Sequence, residues 1–335
     1  MIFLSLPYKN LVFSGGGVLG IAYLGVLDYL YKINLPPQIL RVAGTSAGAI
    51  TACLTSFNLS FDDLKEIADS LDYNKVPGKD DVSVDSKSPP RYFTQSIKSH
   101  LDNIFGNAEC VYRLITQFGW YSSSYLYEWI KEQIASQFNS DLKSPPYTFS
   151  DFKNTAIHKN EIPFKDLYIV GTDSSKSTSI IFSYEFTPNM EVAEAVRISM
   201  SVPLLFEAIK SSPFSSSSKD SPQVYVDGGL LYNYPINIFD SLSPQKETLG
   251  TYFKNALPPA SINNLVDFIS STISCTTRLQ ALLFQENKSN LARSIPIFTS
   301  DIQPMNFNIT VGDPTYLFLY EQGYLGTEVF FSLLS

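Results

Sequence analysis

Between Asn10 and Ser14 the chain reads NLVFS, a short apolar run that enters a cluster of glycines. Beyond it, GIAYLGVLDYLYK repeats apolar residues at helical spacing through Ile21, Leu24, Leu27 and Leu30, and Pro36-Pro37 ends the segment. ILRVAG (39–44) is a second continuous apolar run of strand length, and AGAITACLTSF behind it reads as a helix of small residues. Strand, helix, strand, helix in the first fifth of a chain predicts a parallel α/β sheet.

The pattern continues in mixed form. FDDLKEIADSL (61–71) predicts a helix with Asp62 and Asp63 in its first turn, where the helix dipole favours them. DYNKVPGKDDVSVDSKSPP is polar and breaker-rich, hence a solvated loop. SSSYLYEWIKEQIASQF (122–138) aligns Leu126, Trp129, Ile130, Ile134 and Phe138 on one stripe, the signature of a core-facing helix. DLYIVGTD (166–173) and TSIIFSYEF (178–186) predict a hairpin, and MEVAEAVRISMSVPLLF (190–206) a helix stopped by Pro203. SSPFSSSSKDSP (211–222) is low-complexity and reads as a mobile surface loop. QVYVDGGLLYNYP (223–235) reads as a strand and a turn. ETLGTYF and SIPIFTS are later strands, with a long helix at about 262–284 between them and a last one at about 315–333. No repeat or linker divides the chain. A single α/β domain over residues 1–335 is expected, with a central, mostly parallel sheet flanked by helices and residues 236–335 completing the fold.

Composition narrows the function. Of 335 residues 17% are charged, and 24 basic against 32 acidic side chains leave a net charge of -8. Such a chain has no general attraction to nucleic acid or to anionic membranes. Cys53, Cys110 and Cys275 are far apart and odd in number, and read as buried small hydrophobes in a reducing compartment. With only His100 and His158 besides, no zinc site is expected. No stretch has the apolar length to span a bilayer, and MIFLSLPYKNLVF lacks the basic region and cleavage site of a signal peptide. The expectation is a cytoplasmic or membrane-peripheral chain.

Gly15, Gly17 and Gly20 spell G-x-G-x-x-G. A glycine turn opening a helix presents backbone N–H groups to negative charge, so it suits a dinucleotide pyrophosphate or an ester oxyanion equally. The dinucleotide reading needs an acidic residue at the end of the second strand. ILRVAG offers none and runs directly into GTSAG (44–48). That is G-x-S-x-G, which sets a serine on a sharp strand-to-helix turn, with glycines where side chains would collide. Roughly one chain of this length in six would carry it by chance, so the flanking strand and helix are what give it weight. A serine nucleophile needs a base. Neither His100 nor His158 follows a strand end; both read as surface residues, so a Ser-His-Asp triad is not expected. Asp227 follows the apolar VYV at the end of a strand, where sheet enzymes gather catalytic groups, although D-G alone is also a common hairpin turn.

GGGVLG, GTSAG, VRISMSVPLLF and DGGLLYNYP, in that order, resemble the patatin-like phospholipases over about residues 10–235. The third motif, with Arg197, Ser199, Ser201, Pro203 and Phe206 in register, is similar to the form common in bacterial members, and TFSDF (148–152) resembles a further family segment. The resemblance implies a Ser46–Asp227 dyad acting without histidine, metal or cofactor, and an oxyanion hole from Gly15, Gly16 and Gly17. Gly44 and Gly48 would shape the elbow, while Arg197, Gly228, Gly229 and Asn233 would support the site. It implies fatty-acyl esters as substrates: glycerophospholipids, lysophospholipids or neutral glycerides. Members in pathogens act inside host cells and wait for a host activator, so delivery into a host and a protein activator belong to what the resemblance implies. An acyltransferase, or a silent fold serving as a membrane- or partner-binding module, are the alternatives. One departure stands out. Many members carry Arg or Lys soon after the third glycine, where this chain has Val18 and Leu19.

Overall fold

The computed structural model describes residues 6–78, 108–211, 223–254, 262 and 265–334. Its frame is one sheet of ten strands less two. The strands, in chain order, are β1 (Asn10–Phe13), β2 (Arg41–Thr45), β3 (Gly119–Tyr121), β4 (Asp166–Asp173), β5 (Thr178–Phe182), β6 (Leu204–Phe206), β7 (Ile209–Ser211), β8 (Gln223–Asp227), β9 (Thr248–Lys254) and β10 (Ser294–Phe298). The eight-stranded sheet has the order β10-β9-β1-β2-β4-β8-β7, with β5 also on β4. From β10 to β4 every pairing is parallel; around β4, β8 and β7 pairing turns antiparallel. This is the expected α/β sheet, mostly parallel, with an antiparallel end.

Both faces are covered, which is why β1 and β2 read as unbroken apolar runs. Leu11, Phe13 and Val42 face a large core closed by α1 (Ala22–Lys32), α2 (Ala47–Ser56) and the C-terminal helix Pro314–Ser332. Val12 and Ala43, pointing the other way in the pleat, pack with Tyr168, Ile236 and Phe239. Three layers result. α1 and the C-terminal helix approach so closely that a Cβ on Gly323 would lie 1.8 Å from the Ala22 carbonyl oxygen.

Register fixes where the chemistry can be. Thr45, the last residue of β2, stands opposite Val170 on β4, and Asp227, the last residue of β8, stands opposite the next residue, Gly171. β2 and β8 run toward each other along the same edge of β4 and end tip to tip. The residue after β2 is Ser46.

Several expectations change. The 190–206 helix spans only Val192–Ser199, ending before Pro203, and Leu204–Phe206 is instead a strand that pairs in parallel with β3. After β8 the chain makes one helical turn, Gly229–Tyr232, rather than a plain turn. His158 is not a surface residue. It is 3% exposed, stacked on Phe164 at 3.7 Å between ring centroids, with Nδ1 2.8 Å from the Ile162 carbonyl oxygen. Cys53 is buried as expected, but Cys275 is exposed. His100, the Cys110 side chain and the polar stretches 79–90 and 212–222 lie outside the described residues. Among the described residues no helix is long and apolar enough to cross a membrane.

Candidate active site

Ser46 links β2 to α2 with φ 54° and ψ −124°, a left-handed backbone conformation that a residue with a Cβ rarely adopts. The turn closes only because its flanks lack side chains: a Cβ on Gly44 would lie 1.9 Å from the Gly48 carbonyl oxygen. The Ser46 N–H donates to Ser199 Oγ at 2.9 Å, and the Ser199 hydroxyl in turn donates to the Val170 carbonyl at 2.6 Å. The elbow is thereby pinned to β4 by a buried side chain, which offsets part of the strain.

Asp227 is held as firmly. Its N–H donates to the Ser201 carbonyl at 2.8 Å, and its carbonyl accepts from Thr172 Oγ1 at 2.9 Å. Carboxylate Oδ1 accepts the Gly229 N–H at 2.6 Å, whereas Oδ2 is buried without a hydrogen-bond partner. Burial pushes the Asp227 carboxyl up to about 7, against which the Ser46 hydroxyl and the Gly229 N–H pull it down. The Ser46 hydroxyl is thus an immediate neighbour of the carboxylate, although no closed hydrogen bond joins the two. A carboxylate with one oxygen unsatisfied and its pKa near neutrality can take a proton from that hydroxyl.

The glycine loop lies against the elbow; a Cβ on Gly15 would stand 3.2 Å from Ser46 Cβ. Its N–H groups are not equivalent. Gly15 N–H donates to the Asn233 carbonyl at 2.9 Å and Val18 N–H to the Pro304 carbonyl at 2.9 Å. Among the described residues nothing accepts from Gly16 or Gly17, which open the 3-10 turn Gly17–Ile21. Val18 and Leu19 are buried in the core, so the positions that depart from the family pattern serve packing. Gly228 begins the helical turn after Asp227, its carbonyl accepting from Leu231 and Tyr232.

Arg197 stands apart from these groups. Its Nε donates to Ser123 Oγ at 2.8 Å, its guanidinium pairs with Glu207, and it covers the Tyr127 ring at 4.8 Å. That anchors the Val192–Ser199 helix, whose last residue, Ser199, holds Ser46, and which is followed by Ser201, whose carbonyl holds Asp227. The paired serines of VRISMSVP were visible in the sequence, but their backbone partners were not.

From Gly17, Ala47 and Met200 an apolar cavity of about 60 Å³ runs between α1, α2 and the helix Phe61–Asp69, bounded by Leu64 and Ala68. Among the described residues no cluster of His, Cys, Asp and Glu stands ready to hold a metal.

A strained serine, a buried carboxylate of raised pKa and the N–H groups of a glycine turn thus meet at the strand ends. Residues 11–240 match the family model of the patatin-like phospholipases. The chain belongs to the patatin-like phospholipase family. Among its relatives, the probable lipid hydrolase 463L of Invertebrate iridescent virus 6 is 26% identical over 235 residues, covering 69% of this chain and 63% of that protein. The uncharacterized protein R571 of Acanthamoeba polyphaga mimivirus is 28% identical over 328 residues, 92% of this chain and 90% of that one. VipD from Legionella pneumophila shares the patatin-like fold, with a TM-score of 0.59 at 19% identity over 98% of this chain and 67% of VipD.

Proposed function

We propose that this patatin-like chain is a lipid acyl hydrolase of the phospholipase A or lysophospholipase type, with Ser46 as nucleophile and Asp227 as its only base. The observation that carries the reading is the meeting of β2 and β8 on β4, which brings Ser46 and the buried Asp227 carboxyl, with its unpartnered Oδ2, to the same point of the sheet.

In the first half-reaction Ser46 Oγ bonds to the ester carbonyl carbon while its proton passes to Asp227. The oxyanion that develops is stabilised by the N–H groups of Gly16 and Gly17, aided by the start of the following helix. Because Gly15 N–H is already given to Asn233, it acts as a brace rather than as a donor. Collapse of the adduct breaks the carbon–oxygen bond to the alcohol, which leaves with the proton from Asp227. Water then attacks acyl-Ser46, gives its proton to Asp227, and the free fatty acid departs as Ser46 recovers its hydrogen. The apolar cavity beginning at Ala47 and Gly17 suits the first part of an acyl chain, and its lining disfavours a charged group there. The substrate is then a lipid met at a membrane surface.

The test is fatty-acid release from mixed phospholipid vesicles by wild type, Ser46→Ala and Asp227→Asn, with and without a eukaryotic cell extract. Wild type is expected to release fatty acid, and each variant to fall by about three orders of magnitude or more. Full activity in Asp227→Asn would overturn the dyad, and a silent wild type in both conditions would overturn the hydrolase reading. Activity appearing only with extract would reveal an activator.

A further inference from the structure

The single helical turn after Asp227 ends for a reason that lies far along the chain. Leu231 and Tyr232 donate to the Gly228 carbonyl, and the next bond of an α-helix would run from Asn233 N–H to the Gly229 carbonyl. That bond is replaced. Asn233 N–H donates to Gln280 Oε1 at 2.7 Å, while Gln280 Nε2 donates to the Gly229 carbonyl at 3.0 Å and to the Leu230 carbonyl at 3.1 Å. Carbonyls only accept and the amide N–H only donates, so the Gln280 amide has one orientation here. A side chain from the helix Leu265–Gln285 has inserted itself into a backbone ladder.

Both sides of the insertion lead to the site. Gly229 is the residue whose N–H holds Asp227 Oδ1. Asn233, the residue that caps the turn, accepts the Gly15 N–H through its carbonyl and reaches the Gly15 carbonyl with Nδ2 at 3.4 Å. We infer that Gln280 is a positioning residue that sets the base segment and the glycine loop in register with each other. It lies beyond the residues matched by the family model. Phe284, one turn on, fixes this end of the helix by packing against Tyr234 and Tyr252 at 5.0 and 4.8 Å between centroids. Without the amide, Asn233 N–H falls back on the Gly229 carbonyl. The turn then lengthens, and the Asn233 carbonyl is drawn away from Gly15.

The inference deepens the dyad reading and rests on it for its kinetic readout only. Gln280→Leu removes all three bonds; Gln280→Glu keeps the acceptor for Asn233 but loses the donor to Gly229 and Leu230. With a soluble ester, kcat is expected to fall about tenfold or more in Gln280→Leu, with KM within about twofold and a smaller loss in Gln280→Glu. The acid limb of the pH profile of kcat/KM should move to higher pH in both, because a displaced Gly229 N–H supports the carboxylate less. Amide hydrogen exchange supplies a readout independent of turnover. Exchange over residues 14–20 and 228–234 should quicken in Gln280→Leu while residues 166–173 stay protected. Unchanged kcat, pH limb and exchange in folded Gln280→Leu would overturn the inference. So would exchange quickening equally everywhere, the mark of a cap that only stabilises. If wild type hydrolyses nothing, the dyad reading fails by itself and local exchange still decides the role of Gln280.

Discussion

At Asp227 the demands of folding and of the proposed catalysis oppose each other. The carboxyl titrates at about 7 in the folded chain against an ordinary value of 3.8. Between those pH values the folded chain holds a proton that the unfolded chain has lost, so stability falls as pH rises from about 4 to about 7, then levels off. Activity has the opposite slope, since only the ionised carboxylate accepts the serine proton; kcat/KM should rise through pH 7 to a plateau. Asp227→Asn keeps an acceptor for the Gly229 N–H and abolishes the titration. Its stability should lose the fall between pH 4 and 7 and exceed that of wild type at pH 8 by on the order of 3 kcal/mol. Denaturant unfolding of the two proteins at pH 5 and pH 8 measures this. Equal curves at both values would mean that the carboxyl is solvated, contrary to its burial.

The elements that carry the site are held at distances only glycine allows. Gly25 of α1 and Gly323 of the C-terminal helix face each other's backbones, where a Cβ would lie 1.9 Å from the Tyr320 oxygen and 1.8 Å from the Ala22 oxygen. Alanine has the better helix propensity by about 1 kcal/mol, but a backbone atom at that distance cannot yield. Gly323→Ala is therefore expected to destabilise by about 2 kcal/mol or more, seen as a lower thermal midpoint. A midpoint equal to wild type would show that the helices are free to separate. Strands of this kind were legible in the sequence because burial on both faces writes apolar runs such as LVF (11–13) and VAG (42–44). Three-residue strands write nothing: β3, β6 and β7 are too short for a period, and their pairing depends on distant partners. His158 reads as a surface residue because Lys159, Asn160 and Glu161 follow it in sequence, whereas its neighbours in space are Phe138 and Phe164. Ser46 and Asp227 were marked by motifs and by strand ends, while Gln280 sits in a helix with no local signal at all.

For the molecule as a whole, the apolar cavity bears on which lipids the proposed hydrolase would take. At about 60 Å³ it would receive only the start of an acyl chain, and deeper entry would require its wall to yield. One wall is the helix Phe61–Asp69, where Leu64 is the one buried residue. Ala68→Phe, on that wall, should lower kcat/KM for a lauryl ester about tenfold or more while sparing a butyryl ester. Equal effects on both would mean that the chain leaves by another route.

The meeting of β2 and β8 also joins residues that are made far apart in time. Ser46 is followed by Asp227 only 181 residues later and by Gln280 only 234 residues later. Under the proposed dyad, a nascent chain therefore carries Ser46 through that whole interval with no Asp227 to take its proton. The same reading makes the emerging polypeptide inert toward lipid until β8 has been translated and has paired with β4.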